Sequence, residues 1–459
     1  MTKTRRPGRA LTRRSFLAGA ATLTGGVGIG RHAYGARRVQ AADMLNVAVV
    51  GAGGRGADNL NGLVATGAVN IVALCDCDEQ QAAESFAKFP GAKRYADWRR
   101  LLDSEKGFDA VLVATPDHNH AIISVAAMSI GKHVYCEKPL AHSIWEVREM
   151  ARVAAEKKVA TQMGTQGHAF EGTRRAVEAI RAGLIGDVAE LHVWTDRPAG
   201  WWPQGILRPT DTPPVPAGLE WDVWLGPAPE RPFNPAYVPF KWRGFWDFGT
   251  GAIGDMGIHN LDTAYWALEL GTPTRVAVKE CSPELSAPET KETAPLWSVI
   301  ELEFPARPGK PAVKMTWYDG GKLPPSDLFQ GEKLIGRDGG SLVIGSKGTL
   351  FTRTWHGGET EADMFVLLPR KQFEGVAPPA PSLPRTASHH REWVDACRGQ
   401  GATLSNFGYA AKLTESLLLG NVALRTGKAI EWDAAAMRAV NCPEADPILK
   451  PEFRKGWRL

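Results

Sequence analysis

The stretch Leu45-Asn46-Val47-Ala48-Val49-Val50-Gly51-Ala52-Gly53-Gly54-Arg55-Gly56 decides the fold of this chain. Its first six residues form an apolar run of strand length, which ends directly in a Gly-x-Gly-x-x-Gly loop. A stretch compatible with a helix follows through Leu63. In this setting Gly51 permits a tight turn, Gly53 lets a diphosphate approach the backbone, and Gly56 lets a helix pack on a strand. The order predicts a dinucleotide-binding unit with the phosphates at the helix N-terminus.

An acidic residue closes the next predicted strand. Residues 70–75 form a second apolar run, and Asp76 follows it, 20 residues after Gly56. A carboxylate at this place binds the ribose hydroxyls and repels a 2′-phosphate, so NAD is favoured over NADP. Arg55 is a cation within the loop, and it keeps NADP open as the alternative. We expect Asp76 and the whole loop, Gly54 included, to bind the cofactor.

Alternation of strands and helices continues along the chain. Further apolar runs of strand length cover residues 109–114, 133–136 and 158–163, and a helical pattern covers residues 144–156. This alternation predicts an α/β fold with a doubly wound parallel sheet, a Rossmann domain. Ligands bind such sheets at the carboxyl ends of the strands. Thr115-Pro116 and Glu137-Lys138-Pro139 follow strands in this way, so we expect them in the binding site.

The start of the chain has the pattern of an export signal. Thr12-Arg13-Arg14-Ser15-Phe16-Leu17 precedes an apolar, small-residue stretch that runs to residue 29, and alanines follow near residue 42. A basic region, a short apolar core and a small-residue end are typical of a cleaved signal, and the Arg pair indicates the twin-arginine pathway. We expect residues 1–42 to direct the folded protein through the twin-arginine (Tat) machinery to the periplasm or another extracytoplasmic site. A disordered basic tail is the alternative.

Charge and composition exclude several classes of protein. The first 42 residues hold nine of the 54 basic residues and none of the 50 acidic ones, so the remainder has a net charge of −5. The net positive charge of the full chain is therefore no evidence for nucleic-acid binding. The six cysteines show neither zinc-site spacing nor a disulfide framework, and no later segment has the pattern of a membrane helix.

Four segments together resemble one known family. They are residues 51–56, Ala114-Thr115-Pro116-Asp117-His118-Asn119-His120, the run from Gly131 to Pro139, and Gly251-Ala252-Ile253-Gly254-Asp255-Met256-Gly257-Ile258-His259-Asn260-Leu261-Asp262. The chain resembles the glucose–fructose oxidoreductase / inositol dehydrogenase / MocA (Gfo/Idh/MocA) family over essentially all of the mature sequence. The resemblance implies a Rossmann domain over residues 43–165 and a C-terminal α/β domain, with a large, mostly antiparallel open sheet, over residues 166–459. It also implies hydride exchange between a nicotinamide and a sugar or polyol carbon, and a homodimer or homotetramer.

The last of these segments carries the predicted catalytic residues. Asp255, His259 and Asp262 are spaced i, i+4, i+7, which places them on one face of a helix. Oxidation of a hydroxyl needs a base for its proton, and a histidine suits that role near neutral pH. We expect His259 to be the general acid/base, with Asp255 orienting it and both contacting substrate. A solvated helix face or a metal site are the alternatives; we expect no metal, and Asp262 alone could merely brace the helix.

The resemblance assigns roles to the Glu137-Lys138-Pro139 segment. In the family this lysine contacts the nicotinamide ribose and the substrate hydroxyl, so Lys138 is expected to be catalytic and to bind both partners. An ammonium at this place stabilises negative charge developing on the substrate oxygen. Glu137 is expected on the nicotinamide side of the cofactor. Pro139 often follows a cis bond in the family.

Further pocket residues are predicted with open alternatives. By resemblance, Thr115, Pro116, Asn119, His120 and Gln166 lie near the cofactor, and His168 lies near the substrate. Trp242 and Arg243 come shortly before the predicted catalytic helix, where they could hold hydroxyls or a carboxylate of the substrate. His120 could equally be a core or capping histidine, and Arg243 could belong to a surface basic pair. Trp242 is one of seven tryptophans between residues 201 and 266, whose rings suit either sugar stacking or a core.

These motifs predict the redox centre, and they leave the net reaction open. Outside the cytoplasm there is no reliable pool of free NAD, so we expect the cofactor to load before export and to stay bound. The first hypothesis is an NAD-dependent oxidoreductase acting on a sugar or polyol. The second is redox-neutral, NAD-dependent glycoside cleavage by oxidation, elimination, hydration and re-reduction. A non-catalytic sugar-binding protein is the third.

Overall fold

A computed structural model describes residues 44–334, 338–354 and 365–459. The predicted export signal, residues 1–42, lies outside the described residues. Two sheets organise the described part: a parallel sheet built from the N-terminal third and a mixed, mostly antiparallel sheet built from the rest. The predicted fold class, a Rossmann domain followed by an α/β domain with a large and mostly antiparallel sheet, is confirmed.

The first sheet has six parallel strands in the order β3-β2-β1-β4-β5-β6. The strands are β1 (Leu45–Val50), β2 (Val69–Cys75), β3 (Lys93–Tyr95), β4 (Ala110–Val113), β5 (His133–Cys136) and β6 (Thr161–Met163). The helices between them are α1 (Arg55–Ala65), α2 (Glu79–Lys88), α3 (Trp98–Ser104), α4 (Asp117–Ser129) and α5 (Ile144–Lys157). The strand order reverses between β1 and β4, and a ligand crevice opens at such a reversal.

Strand β1 is apolar throughout because both faces of the sheet are covered. Val47 and Val49 pack into one hydrophobic cluster, whereas Ala48 and Val50 pack into another on the opposite face. A strand buried on both sides has no polar alternation, which explains the continuous apolar run in the sequence. The strand ends where Gly51 turns, so the loop that follows lies at the carboxyl edge of the sheet.

The second sheet has nine strands within the described residues, in the order β13-β12-β11-β7-β10-β9-β8-β14-β15. Only the pair of β7 (Val188–Trp194) and β10 (Val313–Tyr318) is parallel. The other strands are β8 (Arg275–Ser282), β9 (Trp297–Phe304), β11 (Gly340–Gly345), β12 (Gly348–Arg353), β13 (Val366–Leu368), β14 (Ile430–Asp433) and β15 (Arg438–Ala439). The helices are α6 (Glu171–Arg181), α7 (Trp221–Leu225), α8 (Gly251–Leu268), α9 (Glu289–Glu292), α10 (His389–Cys397), α11 (Phe407–Thr426) and α12 (Asp446–Leu449).

Helix α8 is almost wholly buried against this sheet and against α11. Small residues permit the close approach of the two helices. A Cβ added at Gly257 would lie 2.8 Å from the side chain of Leu417, and one at Gly420 would lie 2.6 Å from that of Ile253. The helix that carries Asp255 is therefore held rigidly.

The C-terminal region also reaches back to the Rossmann sheet. Trp393 of α10 is fully buried in the same hydrophobic cluster as Val47 and Leu63. The described residues cluster as one compact unit, so a domain boundary at residue 165 stays a prediction. Across the described ranges, no helix is both long and apolar enough to cross a bilayer.

Candidate active site

The glycine loop has the close contacts that a dinucleotide-binding turn requires. The N–H of Gly51 donates to the carbonyl of Cys75 at 2.8 Å, and Gly51 has a φ of +81°, a region that favours glycine. A Cβ at Gly56 would lie 1.7 Å from the carbonyl oxygen of Gly51, and one at Gly53 would lie 2.5 Å from that of Gln81. Any side chain at these positions would displace backbone. The loop therefore leaves the N-terminus of α1 open to a diphosphate.

Asp76 lies beside this loop and binds its backbone. One carboxylate oxygen accepts the N–H of Gly53 at 3.0 Å, and the other accepts the N–H of Asp78 at 3.0 Å. Burial raises the pKa of Asp76 to about 6, although both N–H groups act to lower it. Asp76 and Asp78 both line the same cleft as the glycine loop. Two carboxylates at this place suit ribose hydroxyls and oppose a 2′-phosphate, so the residues present fit NAD.

Arg55 points toward Glu137. Its Nε donates to Glu137 Oε1 at 3.2 Å, and the same oxygen accepts from Asn59 at 2.8 Å and from Gln166 at 2.9 Å. Burial acts to raise the pKa of Glu137, but the charge of Arg55 and the Asn59 hydrogen bond outweigh it and the pKa is lowered. Glu137 is thus a buried anion that ties α1, the end of β5 and the segment after β6 together.

A cleft of about 550 Å³ runs along the carboxyl edge of the parallel sheet. The structure places thirteen of the predicted site residues in its lining: Gly51, Gly53, Gly54, Arg55, Asp76, Thr115, Pro116, Asn119, Glu137, Lys138, Trp242, Arg243 and Asp255. It does not place five others there, namely Gly56, His120, Gln166, His168 and His259.

An ion pair between Lys138 and Asp255 lies at the inner end of this cleft. Lys138 Nζ donates to Asp255 Oδ1 at 2.6 Å and to the Asp255 carbonyl at 3.1 Å, and the Lys138–Pro139 bond is cis. Burial and the nearby charge of Arg243 lower the pKa of Lys138, although Asp255 acts to raise it. The pair joins the end of β5 to helix α8, so it brings residues 117 positions apart to one point.

Two arginines complete the surroundings of Asp255. Arg197 Nη1 lies 3.0 Å from Asp255 Oδ2, and Arg243 Nε lies 3.2 Å from Asp255 Oδ1. Burial acts to raise the pKa of Asp255, but the charges of Lys138, Arg243 and Arg197 hold it well below the usual range. Asp255 is therefore an anion near neutral pH.

His259 lies one helical turn after Asp255 and is half-buried. Its Nδ1 is 3.4 Å from the hydroxyl oxygen of Thr165. Burial and the charge of Lys138 hold the pKa of His259 well below its usual value, although Asp255 opposes them. The imidazole is therefore neutral near pH 7 and can accept a proton. It lies behind the cleft lining, and its role as acid/base stays a prediction.

Two predicted pocket residues, Gln166 and His168, do not line the cleft and instead contact neighbouring side chains. Gln166 donates to the Tyr135 hydroxyl at 2.7 Å and to Glu137, so it supports the cleft from behind. His168 is 0% exposed, its Nδ1 lies 2.9 Å from a carboxylate oxygen of Asp262, and its ring stacks on Trp266. This pair fixes the turn after β6 to α8, away from the cleft.

His120 is a buried histidine between two carbonyls. Its ring nitrogens lie 2.8 Å from the carbonyl oxygens of Pro139 and Thr115. The structure therefore agrees with the alternative that the sequence left open, in which His120 is a histidine of the protein interior. Asn119 lines the cleft, but its amide nitrogen donates to the carbonyl of Trp224 at 2.9 Å.

Sequence reasoning missed three residues of this site: Arg197, Trp201 and Phe240. All three line the cleft. Arg197 and Trp201 lie in the loop that follows β7, and the cluster of tryptophans was the one signal that pointed there. Arg197 lies in that loop between Asp196 and Pro198, and its contact with Asp255 spans 58 residues of sequence.

A parallel sheet with a constrained glycine loop, and a cleft completed by helix α8 and by loops of the C-terminal part, define a two-domain dinucleotide-binding protein. The family model described as "Oxidoreductase family, NAD-binding Rossmann fold" matches residues 45–165, and the one described as "Oxidoreductase family, C-terminal alpha/beta domain" matches residues 188–304. The chain belongs to the Gfo/Idh/MocA oxidoreductase family. NAD is accordingly the cofactor of its Rossmann domain.

Named relatives match part of the chain. A levoglucosan dehydrogenase of Pseudarthrobacter phenanthrenivorans is 30% identical over 42% of this chain and 40% of its own length. An inositol 2-dehydrogenase of Salmonella typhimurium is 31% identical over 32% of this chain and 45% of its own length. The chain thus spans less than half the length of these relatives. The crystal structure of GenD2 from gentamicin A biosynthesis in complex with NAD is 21% identical, covers 85% of this chain and 97% of that chain, and has a TM-score of 0.57, which shows a shared fold.

Proposed function

We propose that this protein is an NAD-dependent oxidoreductase that oxidises a hydroxyl group of a sugar or polyol. The observation that carries the proposal is the Lys138–Asp255 ion pair at 2.6 Å, at the end of a cleft that also contains the glycine loop and Asp76. The relatives named inositol 2-dehydrogenase and levoglucosan dehydrogenase support this substrate class.

Each residue of the pair has a defined task in the proposal. NAD, when bound, supplies the acceptor for the hydride. Lys138 donates a hydrogen bond to the substrate oxygen and stabilises the negative charge that develops there as the proton leaves. Asp255 holds the ammonium in place through Oδ1 and through its own carbonyl. Because the side chains of Lys138 and Asp255 are only 12 and 6% exposed, solvent screens these contacts weakly.

His259 is the proposed acceptor of the hydroxyl proton. Its lowered pKa keeps the ring neutral near pH 7, which is the form that accepts a proton. It lies one turn from Asp255 on α8, and Thr165 contacts its Nδ1. Because the ring is not among the residues that line the cleft, we propose that a bridging water carries the proton from the substrate to His259.

The deciding experiment follows absorbance of NADH and release of product together. The purified protein is denatured to assay bound nucleotide, and the native protein is then mixed with a panel of sugars, polyols and glycosides. Accumulation of NADH supports the proposed dehydrogenase. Release of an aglycone without net NADH supports the redox-neutral glycoside cleavage instead. No spectral change with any compound, together with unaltered sugar binding in His259→Ala, would favour a non-catalytic sugar-binding protein.

We also propose that the protein acts outside the cytoplasm, after export of the folded, cofactor-loaded chain by the Tat machinery. The support is the Arg13-Arg14 motif with its apolar core. We propose a homodimer or homotetramer as well, on the basis of the family resemblance. Size-exclusion chromatography with light scattering tests the oligomeric state.

A further inference from the structure

The inner end of the cleft gathers three cations around one carboxylate. Lys138, Arg197 and Arg243 contact Asp255 at 2.6, 3.0 and 3.2 Å, and their side chains are only 12, 11 and 17% exposed. Charges that are partly buried are weakly screened by salt. Positive charge left unbalanced here would therefore attract an anion strongly.

Three other carboxylates lie near this group, and they do not balance it. The first, Glu137, is paired with Arg55 at 3.2 Å. Asp338 Oδ1 is 3.6 Å from Arg197 Nη2 and offsets one positive charge. Asp117 has its own balancing cation in His120. Both ring nitrogens of His120 face carbonyl oxygens, which only accept, so both must carry hydrogen and the ring is an imidazolium. Three cations thus face two carboxylates, and one positive charge remains.

Each arginine also lies against an aromatic ring at the cleft. The guanidinium of Arg197 is 4.0 Å from the ring centre of Trp201, and that of Arg243 is 3.9 Å from the ring centre of Phe240. Trp201 and Phe240 are 38% and 37% exposed, and both line the cleft. Exposed aromatic faces stack on the C–H face of a sugar ring. The cleft therefore offers a place for a sugar ring directly beside a positive charge.

We propose that Arg197 and Arg243 form a carboxylate subsite and that the substrate is an acidic sugar of the uronate type. Its ring would lie against Trp201 or Phe240, and its carboxylate would receive N–H donors from the two guanidinium groups. This inference rests on the proposed function, since it names the class of sugar that the same cleft accepts.

The cofactor diphosphate is the other anion that could occupy a basic site. The diphosphate is expected at the glycine loop and the N-terminus of α1. Arg197 and Arg243 instead belong to segments after β7 and before α8, and both bind Asp255 of α8. An arginine that served the substrate would leave NAD affinity unchanged when replaced, whereas one that served the diphosphate would not.

The test compares acids with neutral analogues of the same shape. The NAD-loaded full chain is titrated with D-glucuronate, D-galacturonate and D-mannuronate, each against its carboxamide, and binding is followed by tryptophan fluorescence and calorimetry. At least one acid should bind about tenfold or more tightly than its amide, equivalent to about 1.4 kcal/mol. Because partly buried charges are weakly screened, that ratio should fall only slightly as salt rises from about 0.05 to about 0.5 M.

Substitutions test whether Arg197 and Arg243 cause the tighter binding of the acid. Arg197→Gln and Arg243→Gln should each bring the acid-to-amide ratio toward one while the affinity for NAD stays the same. Arg208→Gln is the matched control, because Arg208 pairs with Glu292 on the exposed surface and does not line the cleft. It should keep the full ratio.

Several results would overturn the subsite. These are equal binding of acid and amide for all three sugars, no binding of any acid, an unchanged ratio in both glutamine variants, or a parallel loss of NAD affinity. If both variants fail to fold, the ratio in the unaltered protein and its salt dependence decide the matter. Formation of NADH is measured separately, because it distinguishes the two proposals. If an acid binds more tightly than its amide but does not reduce NAD, only the redox proposal is contradicted. If neutral sugars reduce NAD while acid and amide bind equally, only the carboxylate subsite is contradicted.

Discussion

Lys138 is the residue whose removal most directly tests the proposed chemistry. We expect Lys138→Met to lower kcat for any NAD-reducing sugar by about 10²–10³-fold, because the developing oxygen charge loses its hydrogen-bond donor. Folding should persist, since Arg197 and Arg243 still compensate Asp255. Stopped-flow absorbance of NADH measures the rate, and Lys157→Met, a change on the exposed end of α5, serves as control. An unchanged kcat would assign the chemistry to another residue.

Asp76 gives cofactor binding a pH dependence. Burial raises its pKa to about 6, against the opposing N–H groups of Asp78 and Gly53. Above pH 7 the group is an anion that accepts the ribose hydroxyls, and below pH 6 it is protonated. NAD affinity should therefore be constant above pH 7 and fall by up to about tenfold per pH unit below 6.

Fluorescence titration of NADH between pH 5 and 8 measures this effect. Asp76→Asn should bind NAD weakly at every pH and lose the dependence between pH 5 and 7. If the substituted protein kept the same pH profile, another group would be responsible.

At the residue scale, the sequence predicts those site residues that a local motif marks. Asp255 follows from its place in a helical motif, and Lys138 from its place at the end of a strand. Arg197 could not be predicted, because its contact with Asp255 depends on the path of a long proline-rich loop. His168 has the residue type of a site histidine, yet the close stacking on Trp266 that buries it is a property of the packed structure.

At the scale of strands and helices, local sequence patterns predict the elements themselves but not their long-range contacts. The strands of the parallel sheet are continuous apolar runs that end in turns, and the sequence places them within a few residues. By contrast, the docking of α10 on the first sheet is visible only in the structure. Trp393 packs with Val47 and Leu63, more than 300 residues away along the chain.

The docking of α10 leads to a stability prediction. Trp393→Ala should lower the free energy of unfolding by about 3–5 kcal/mol, because a fully buried indole is replaced by a cavity. His390 of the same helix stacks on Tyr135 and contacts Asn59, so NAD affinity should fall as well. Urea unfolding measures the first effect, and Val376→Ala, at an exposed position, is the control. A loss below about 1 kcal/mol would indicate that α10 contributes little to the Rossmann domain.

At the scale of the whole molecule, the two proposals about cofactor and compartment depend on each other. An enzyme that leaves the cytoplasm must carry its nucleotide with it, and the constrained glycine loop, Asp76 and the Glu137 network provide the contacts for a bound dinucleotide. The general secretory route exports unfolded chains, which cannot hold a nucleotide in a cleft shared by two sheets. Retained NAD therefore requires export of a folded chain.

Replacement of Arg13 and Arg14 by lysine tests this dependence. The unaltered protein, expressed in a bacterium with a working twin-arginine system, should be recovered outside the cytoplasm with close to one NAD per chain. The double-lysine protein should stay in the cytoplasm, because the pair is the feature that this pathway recognises, and it should still contain NAD. Fractionation followed by nucleotide assay measures both quantities, and a host that lacks the twin-arginine translocase should reproduce the effect of the double substitution. Export of the double-lysine protein at the normal level, or exported protein without nucleotide, would contradict the proposal.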